Sequence, residues 1–227
     1  MISVIIPVLN EEKVIADTLS QLALQTSSDF EVLVVDGGST DNSYNIVKQN
    51  KNVKLLSAEK GRATQMNAGA NKAAGDWLLF LHADTLLPKH AIQSIASLSA
   101  DPEIKSGGFK HRFSGKDWRL TFISWLNNNR CSRNHVFYGD QAIFVKRTLF
   151  NTIGGFPIKN ILEDVYFSIE LKKHTRPILL DSHVITDSRK FTKMGIWKSL
   201  YRVANIQTRV KFGLPITSHY PFFTDAR

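Results

Sequence analysis

Gly75-Asp76-Trp77-Leu78-Leu79-Phe80-Leu81-His82-Ala83-Asp84-Thr85 places five apolar residues, 77–81, directly before a polar triplet. Five are too few to cross a membrane and suit a strand buried on both faces, as in a parallel sheet covered by helices. In an open α/β sheet the carboxyl ends of the strands form the binding crevice, which delivers His82 and Asp84 to a ligand. Alternation along an extended chain points both side chains the same way, a geometry that suits a divalent cation. On these three residues alone, the competing reading is a turn aspartate beside a satisfied histidine.

Upstream, Ile2-Ser3-Val4-Ile5-Ile6-Pro7-Val8-Leu9 is a second buried-strand run that stops at Asn10. Asn10 is able to cap a helix with Glu11 and Glu12 in its first turn and Ile15, Leu19 and Leu22 along one face. Glu31-Val32-Leu33-Val34-Val35-Asp36 ends in Gly37-Gly38-Ser39-Thr40-Asp41, where glycines permit a tight turn and Ser39 or Thr40 caps the next helix. Val53-Lys54-Leu55-Leu56 reads as a further strand, and the small residues of the stretch 61–70 let a helix lie close on the sheet. This rhythm predicts a Rossmann-like, mostly parallel sheet with right-handed crossovers. Neither Gly-x-Gly-x-x-Gly after the first strand nor Gly-x-x-x-x-Gly-Lys-Ser/Thr is present, which argues against NAD binding and against a P-loop.

The chain has 227 residues, enough for a full core in one domain. Its charge is unevenly shared: residues 1–110 carry 10 Lys+Arg against 12 Asp+Glu, and residues 111–227 carry 19 against 8. The second half, at +11, attracts anions, among which nucleic acid, phosphorylated substrates and anionic lipid all qualify. The single cysteine, Cys131, excludes an internal disulfide framework and reads as structural. No basic leader precedes Ile2 and no run approaches ~18 apolar residues, so a cytoplasmic protein is expected.

Ile5-Ile6-Pro7-Val8-Leu9-Asn10-Glu11, then Val34-Val35-Asp36-Gly37-Gly38-Ser39-Thr40-Asp41, then Gly61-Arg62-Ala63 with Asn67-Ala68-Gly69, then His82-Ala83-Asp84 stand in an order that resembles the family 2 glycosyltransferases of GT-A fold. The resemblance continues through Gly139-Asp140-Gln141, Gly154-Gly155-Phe156 and Glu163-Asp164-Val165 to about residue 175. It implies a single α/β domain with a C-terminal helical segment, in three stretches: a nucleotide-sugar half at 1–110, an acceptor-binding and catalytic part at 111–190, and a basic amphipathic segment at 191–227. The implied reaction moves a sugar, with inversion, from a nucleotide diphosphate donor, most commonly a UDP-sugar, to an acceptor hydroxyl.

Carried onto this chain, the resemblance implies that Pro7, Asn10 and Glu11 border the nucleoside, that Asp36 bonds the base, and that Arg62 and Ala83 complete the nucleotide site. Asp84 matches the last aspartate of the family's Asp-x-Asp and would hold Mn or Mg; His82 stands where the first aspartate would be, which lowers the site's charge. The acceptor hydroxyl loses a proton as it attacks, so a carboxylate must stand across the sugar from the metal. Asp164 is the implied base and Glu163 its orienting neighbour, in a helix over 161–171; carboxylates there are also ordinary helix-dipole partners. Gly139 and Asp140 line the donor sugar or acceptor pocket, or only shape a turn.

A helix over 116–129 carries Trp118, Phe122, Trp125 and Leu126 at a spacing read as core, with acceptor stacking by a tryptophan as the minority reading. From Ser188 to Thr224 there is no acid, while Arg189, Lys190, Lys193, Lys198, Arg202, Arg209 and Lys211 are basic. This amphipathic stretch either packs on the catalytic core, with Arg189 and Lys190 reaching the diphosphate, or lies on an anionic membrane through 191–214. The other histidines, His111 among them, lack ligand spacing and read as surface or packing residues. The expected partners are a nucleotide-sugar and an acceptor that is a glycan, lipid or small molecule, with no nucleic acid. Two rivals are a nucleotidyltransferase acting on a sugar phosphate, whose basic glycine-rich loop is missing, and a non-enzymatic anion- or membrane-binding module, against which the acidic strand ends argue.

Overall fold

The computed structural model describes residues 1–159, 161–212 and 214; the expectations for His219 and for the side chains of Lys190, Val210 and Lys211 lie outside what it describes. Four apolar runs become the parallel strands β1 (Ile2–Val8), β2 (Phe30–Asp36), β3 (Lys54–Ser57) and β4 (Trp77–Phe80), ordered β3-β2-β1-β4. Helices α1 (Ile15–Leu22), α2 (Ser43–Lys48) and α3 (Arg62–Lys72) make the crossovers. After the short β5 (Thr85–Leu86) and α4 (Ala91–Ser97) come β6 (Ser106–Phe113), α5 (Trp118–Asn134) and β7 (Phe144–Lys146). The helices α6 (Arg147–Ile153) and α7 (Glu163–His174) precede β8 (Ile178–Thr186), and α8 (Arg189–Met194) and α9 (Ile196–Lys211) follow it.

β7 is antiparallel to both β4 and β6, β6 runs parallel to β8, and β5 closes the far edge against β8, giving one eight-stranded sheet. Alternation along β1 splits the core: Ile2, Val4, Ile6 and Val8 face α1 and α4, whereas Ile5 joins Leu33, Val35 and Phe80 under α3, α6 and α7. The second layer is rich in rings, with Phe80, Phe150, Phe156 and Phe167 in mutual contact. Two distant motifs meet there, because the Asn67 amide donates to the Phe156 carbonyl at 2.8 Å while its oxygen accepts from the Phe156 N–H at 2.9 Å.

Three expectations need correction. Asn10 caps no helix: α1 starts at Ile15, so Glu11 and Glu12 precede it, and Asn10 sits at φ 56 with its side-chain oxygen accepting from the Thr40 N–H at 2.8 Å. Ser39 and Thr40 do not cap α2 either, since Ser39 Oγ accepts from the Asn10 N–H at 3.0 Å. Both residues are used to join the loops after β1 and β2. The aromatics of α5 are not core: Trp118 is 68% exposed and Trp125 59%, and the helix buries Leu120, Ile123, Ser124 and Cys131 instead.

Candidate active site

β1, β2, β3 and β4 all end at one edge of the sheet, and antiparallel β7 begins there, so the loops after four strands and before a fifth converge. They enclose a cleft lined by Pro7 at the end of β1, Leu9 and Glu11 from the loop after it, Arg62 and Gln65 from α3, and His82, Ala83 and Asp84 after β4. The polar triplet does not continue the strand. β4 stops at Phe80 and the Thr85 N–H donates to the His82 carbonyl at 3.1 Å, so a turn, not strand alternation, presents His82 and Asp84.

At one end of this edge the Asp36 carboxylate is buried, its Oδ2 accepting from Gly38 N–H at 2.9 Å and Ser39 N–H at 3.0 Å. The turn requires Gly38, at φ 86. Asp36 Oδ1 has no hydrogen-bond partner among the described residues, which leaves one buried acceptor for a ligand N–H. Gln65, unmarked in the sequence reading, fixes the strand ends by donating to the Val8 and Val35 carbonyls, both at 2.8 Å.

At the other end, α7 opens with Leu162 in the left-handed region at φ 61, an unfavourable setting for a leucine that aims Glu163 and Asp164 inward. Arg62 Nη1 donates to Glu163 Oε1 at 3.2 Å. Burial works to lower the guanidinium's pKa, but the carboxylates of Glu163, Asp164 and Asp84 outweigh it and hold the charge on. Asp164 accepts through Oδ2 from the Gly139 N–H and through Oδ1 from the Val165 N–H at 2.8 Å. Burial, reinforced by Glu163, pushes its carboxyl up to about 6 against those N–H groups and Arg62. Gly139 has to be glycine, since a Cβ there would overlap the His82 ring and press on Asp164 Oδ2 at 3.2 Å.

Asp140 shares the helical turn of Gly139 and meets a residue that sequence reasoning missed. His111, on β6, is 1% exposed, with Nε2 3.4 Å from Asp140 Oδ2 and neither ring nitrogen in a hydrogen bond. The contact is an ion pair only when the ring is protonated. No spacing links residues 111 and 140; the β6–β7 pairing does. Cys131 is fully buried and its thiol is pushed up to about 11 by burial, which makes it an inert core residue as expected. Arg189 turns to Asp187 at 2.8 Å, and the Asp187 N–H donates to the Asp84 carbonyl at 3.0 Å.

Among the described residues no three His, Cys, Asp or Glu side chains group to hold a metal by themselves. Asp84 offers a hard carboxylate beside Glu11 and His82, and a divalent cation bound by one carboxylate plus ligand phosphates and water is an ordinary arrangement for Mg²⁺.

Residues 3–157 match the family model described as Glycosyl transferase family 2. A PGL/p-HBAD biosynthesis glycosyltransferase of Mycobacterium bovis is 33% identical over 199 residues, covering 83% of this chain and 76% of the relative. A glycosyltransferase of Haemophilus influenzae is 32% identical over 221 residues, covering 90% and 84%. S. aureus TarS shares the fold with a TM-score of 0.67 at 22% identity, over 89% of this chain and 65% of the TarS chain, and has also been solved with UDP-GlcNAc. A mannosyltransferase of Pyrobaculum calidifontis, solved with GDP-Man and Mn²⁺, superposes with a TM-score of 0.64 at 23% identity, over 81% and 56%.

Proposed function

The chain belongs to the glycosyl transferase family 2, and on that footing we propose that it transfers a sugar from a UDP-sugar to an acceptor hydroxyl with inversion, assisted by a divalent cation at Asp84. The observation that carries this reading is the buried arrangement of Arg62 among Glu163, Asp164 and Asp84, with the Asp164 carboxyl pushed up to about 6. A base with that affinity is ionised at neutral pH yet still holds a proton well enough to take one from a hydroxyl.

In this mechanism Asp36 Oδ1 accepts the base N–H. Guanine offers two parallel donors suited to a whole carboxylate, whereas uracil offers a single N–H between carbonyls, and Asp36 has only one oxygen unoccupied. That favours UDP over GDP. Pro7, Asn10, Glu11 and Ala83 border the nucleotide, and Gly139 and Asp140 line the sugar side. A cation held by Asp84 and the diphosphate would neutralise charge on the leaving group. Arg62 adds a fixed positive charge near it. Asp164 takes the acceptor's proton as oxygen attacks the anomeric carbon and the nucleoside diphosphate departs from the opposite face, so the configuration inverts in one displacement. Glu163 holds Arg62, and the Gly139 N–H holds Asp164.

No described helix is long and apolar enough to cross a membrane. The decisive experiment is calorimetric titration of UDP and GDP into wild type and Asp84→Ala, with and without Mn²⁺. UDP binding that requires the metal, is lost in Asp84→Ala and exceeds GDP binding by about tenfold or more is the expected result. Absence of binding by either nucleotide under all conditions would overturn the proposal.

A further inference from the structure

α5 and α9 together form a surface to which the proposed transfer assigns no residue. Both helices pack inward through a small cluster of Phe113, Leu120, Ile123 and Ile196, which fixes one against the other. Outward, residues 118, 122 and 125 of α5 and residues 197 and 201 of α9 recur at helical spacing, so each helix presents one aromatic stripe. The stripes meet. Trp118 and Trp197 touch edge to face with ring centres 6.2 Å apart, and Phe122 stacks with Trp125 at 6.0 Å. All are open to solvent: Trp118 68%, Trp125 59%, Trp197 49% and Tyr201 69% exposed. An apolar surface of this kind on an otherwise well-packed chain marks an interaction site.

Charge selects the partner. Neither α5 nor α9 contains an acid; α5 carries Arg119, Arg130 and Arg133, of which Arg119 turns to Asp117 and Arg130 to Tyr138, and α9 carries Lys198, Arg202 and Arg209. Exposed Lys116, just before α5, and exposed Lys193, in α8, extend the basic rim, and the Asp117 carboxylate at the start of α5 is held by Arg119 at 2.7 Å. A second copy of this chain would bring the same cations face to face and be repelled. Amphipathic tryptophan and tyrosine rings ringed by cations match the headgroup layer of an anionic bilayer, where rings enter the interface and lysines and arginines stay with the phosphates.

We propose that the α5–α9 aromatic face docks the enzyme on anionic phospholipid membranes. The docking surface is therefore wider than the 191–214 segment alone, and half of it is the helix whose stripe the sequence pattern assigned to the core. α5 is also tied to the cleft, since the Arg130 guanidinium lies 3.9 Å from the Tyr138 ring centre, next to Gly139, and the Asn128 side chain bonds the His111 backbone at 2.8 Å. The proposal does not depend on which nucleotide the cleft takes.

Tryptophan fluorescence tests it. Of the four tryptophans, Trp77 is 3% exposed and serves as an internal control, while the other three lie on the proposed face. The full-length chain is mixed with vesicles of phosphatidylcholine, alone or with phosphatidylglycerol, at low and high salt, including brominated lipid as a contact quencher. The expected result is a blue shift and quenching only with the anionic vesicles, weakening steeply with salt because the Debye length shrinks below about 10 Å above 0.1 M. Each basic side chain at the headgroups contributes about fivefold to the partition, so Lys193→Glu with Lys198→Glu lowers it by well over about tenfold. Trp118→Phe, Trp125→Phe and Trp197→Phe combined should still bind but lose the quenching. For the wild type, absence of partition at low salt, partition without quenching, or a doubled mass in light scattering with emission already blue-shifted before lipid is added would each overturn the proposal. UDP titration of the same variants, unchanged in every case, separates this result from a failure of the nucleotide site.

Discussion

Asp164 carries two opposed consequences of one environment. Burial and Glu163 raise its carboxyl to about 6, so the folded chain holds a proton there that the unfolded chain has released above about pH 4. Stability therefore falls as pH rises from about 4 to about 6, and the deficit, of the order of 1–3 kcal/mol, is complete above that window. Asp164→Asn has no such titration, so its melting temperature relative to wild type should rise across the same window; a constant difference between pH 4 and 7 would show that the carboxyl is not raised. Activity runs the other way. As the proposed base, Asp164 must be ionised, so kcat/KM should climb up to about pH 6 and level off, and Asp164→Asn should lose about 10²–10⁴-fold of kcat while UDP affinity is kept. Strand ends marked Asp36 and Asp84 in the sequence, and the resemblance to the family 2 glycosyltransferases marked Arg62, Glu163 and Asp164. Neither could mark His111 or Gln65, whose relation to the cleft exists only once β6 lies beside β7 and α3 lies under β1 and β2.

Among the elements, the junction of α3 with the loop before α7 shows how two motifs far apart in the chain support one another. Asn67→Ala removes both reciprocal hydrogen bonds to the Phe156 backbone, a loss of about 1–3 kcal/mol that should lower the melting temperature by up to about 10 °C. Gly139→Ala should behave differently, because its Cβ would overlap His82 and crowd Asp164, so turnover should drop by about tenfold or more with a smaller change in melting temperature. Equal losses in both readouts would mean that the turn only holds the fold. The parallel half of the sheet was legible because strands buried on both faces are continuous apolar runs. β6, with sequence SGGFKHRF, was not, since its glycines and alternating polar residues carry no such signal. The stripe on α5 was misread for a related reason. Helical spacing shows that aromatics share a face but not whether that face meets protein or solvent.

At the scale of the whole molecule, residues 1–110 and residues 111–227 are best regarded as one cooperative unit despite their different charge. β4, the last of the four parallel strands, is hydrogen-bonded on both sides, to β1 and to β7. The turn that carries Asp84 is likewise closed by the second half: the Thr85 and Thr186 hydroxyls are 3.0 Å apart, and the Asp187 N–H reaches the Asp84 carbonyl at 3.0 Å. A fragment of residues 1–110 would leave β4 as an apolar edge and lose the strand that pins Asp84, so it should not fold to a stable nucleotide-binding unit. In the full chain, a variant keeping only Trp77 as its tryptophan reports on β4, while far-UV circular dichroism reports on all helices. The two unfolding curves should superimpose in urea. A Trp77 transition that persists after most helical signal is gone would instead make the first half an independent folding unit, and the second half an addition to it.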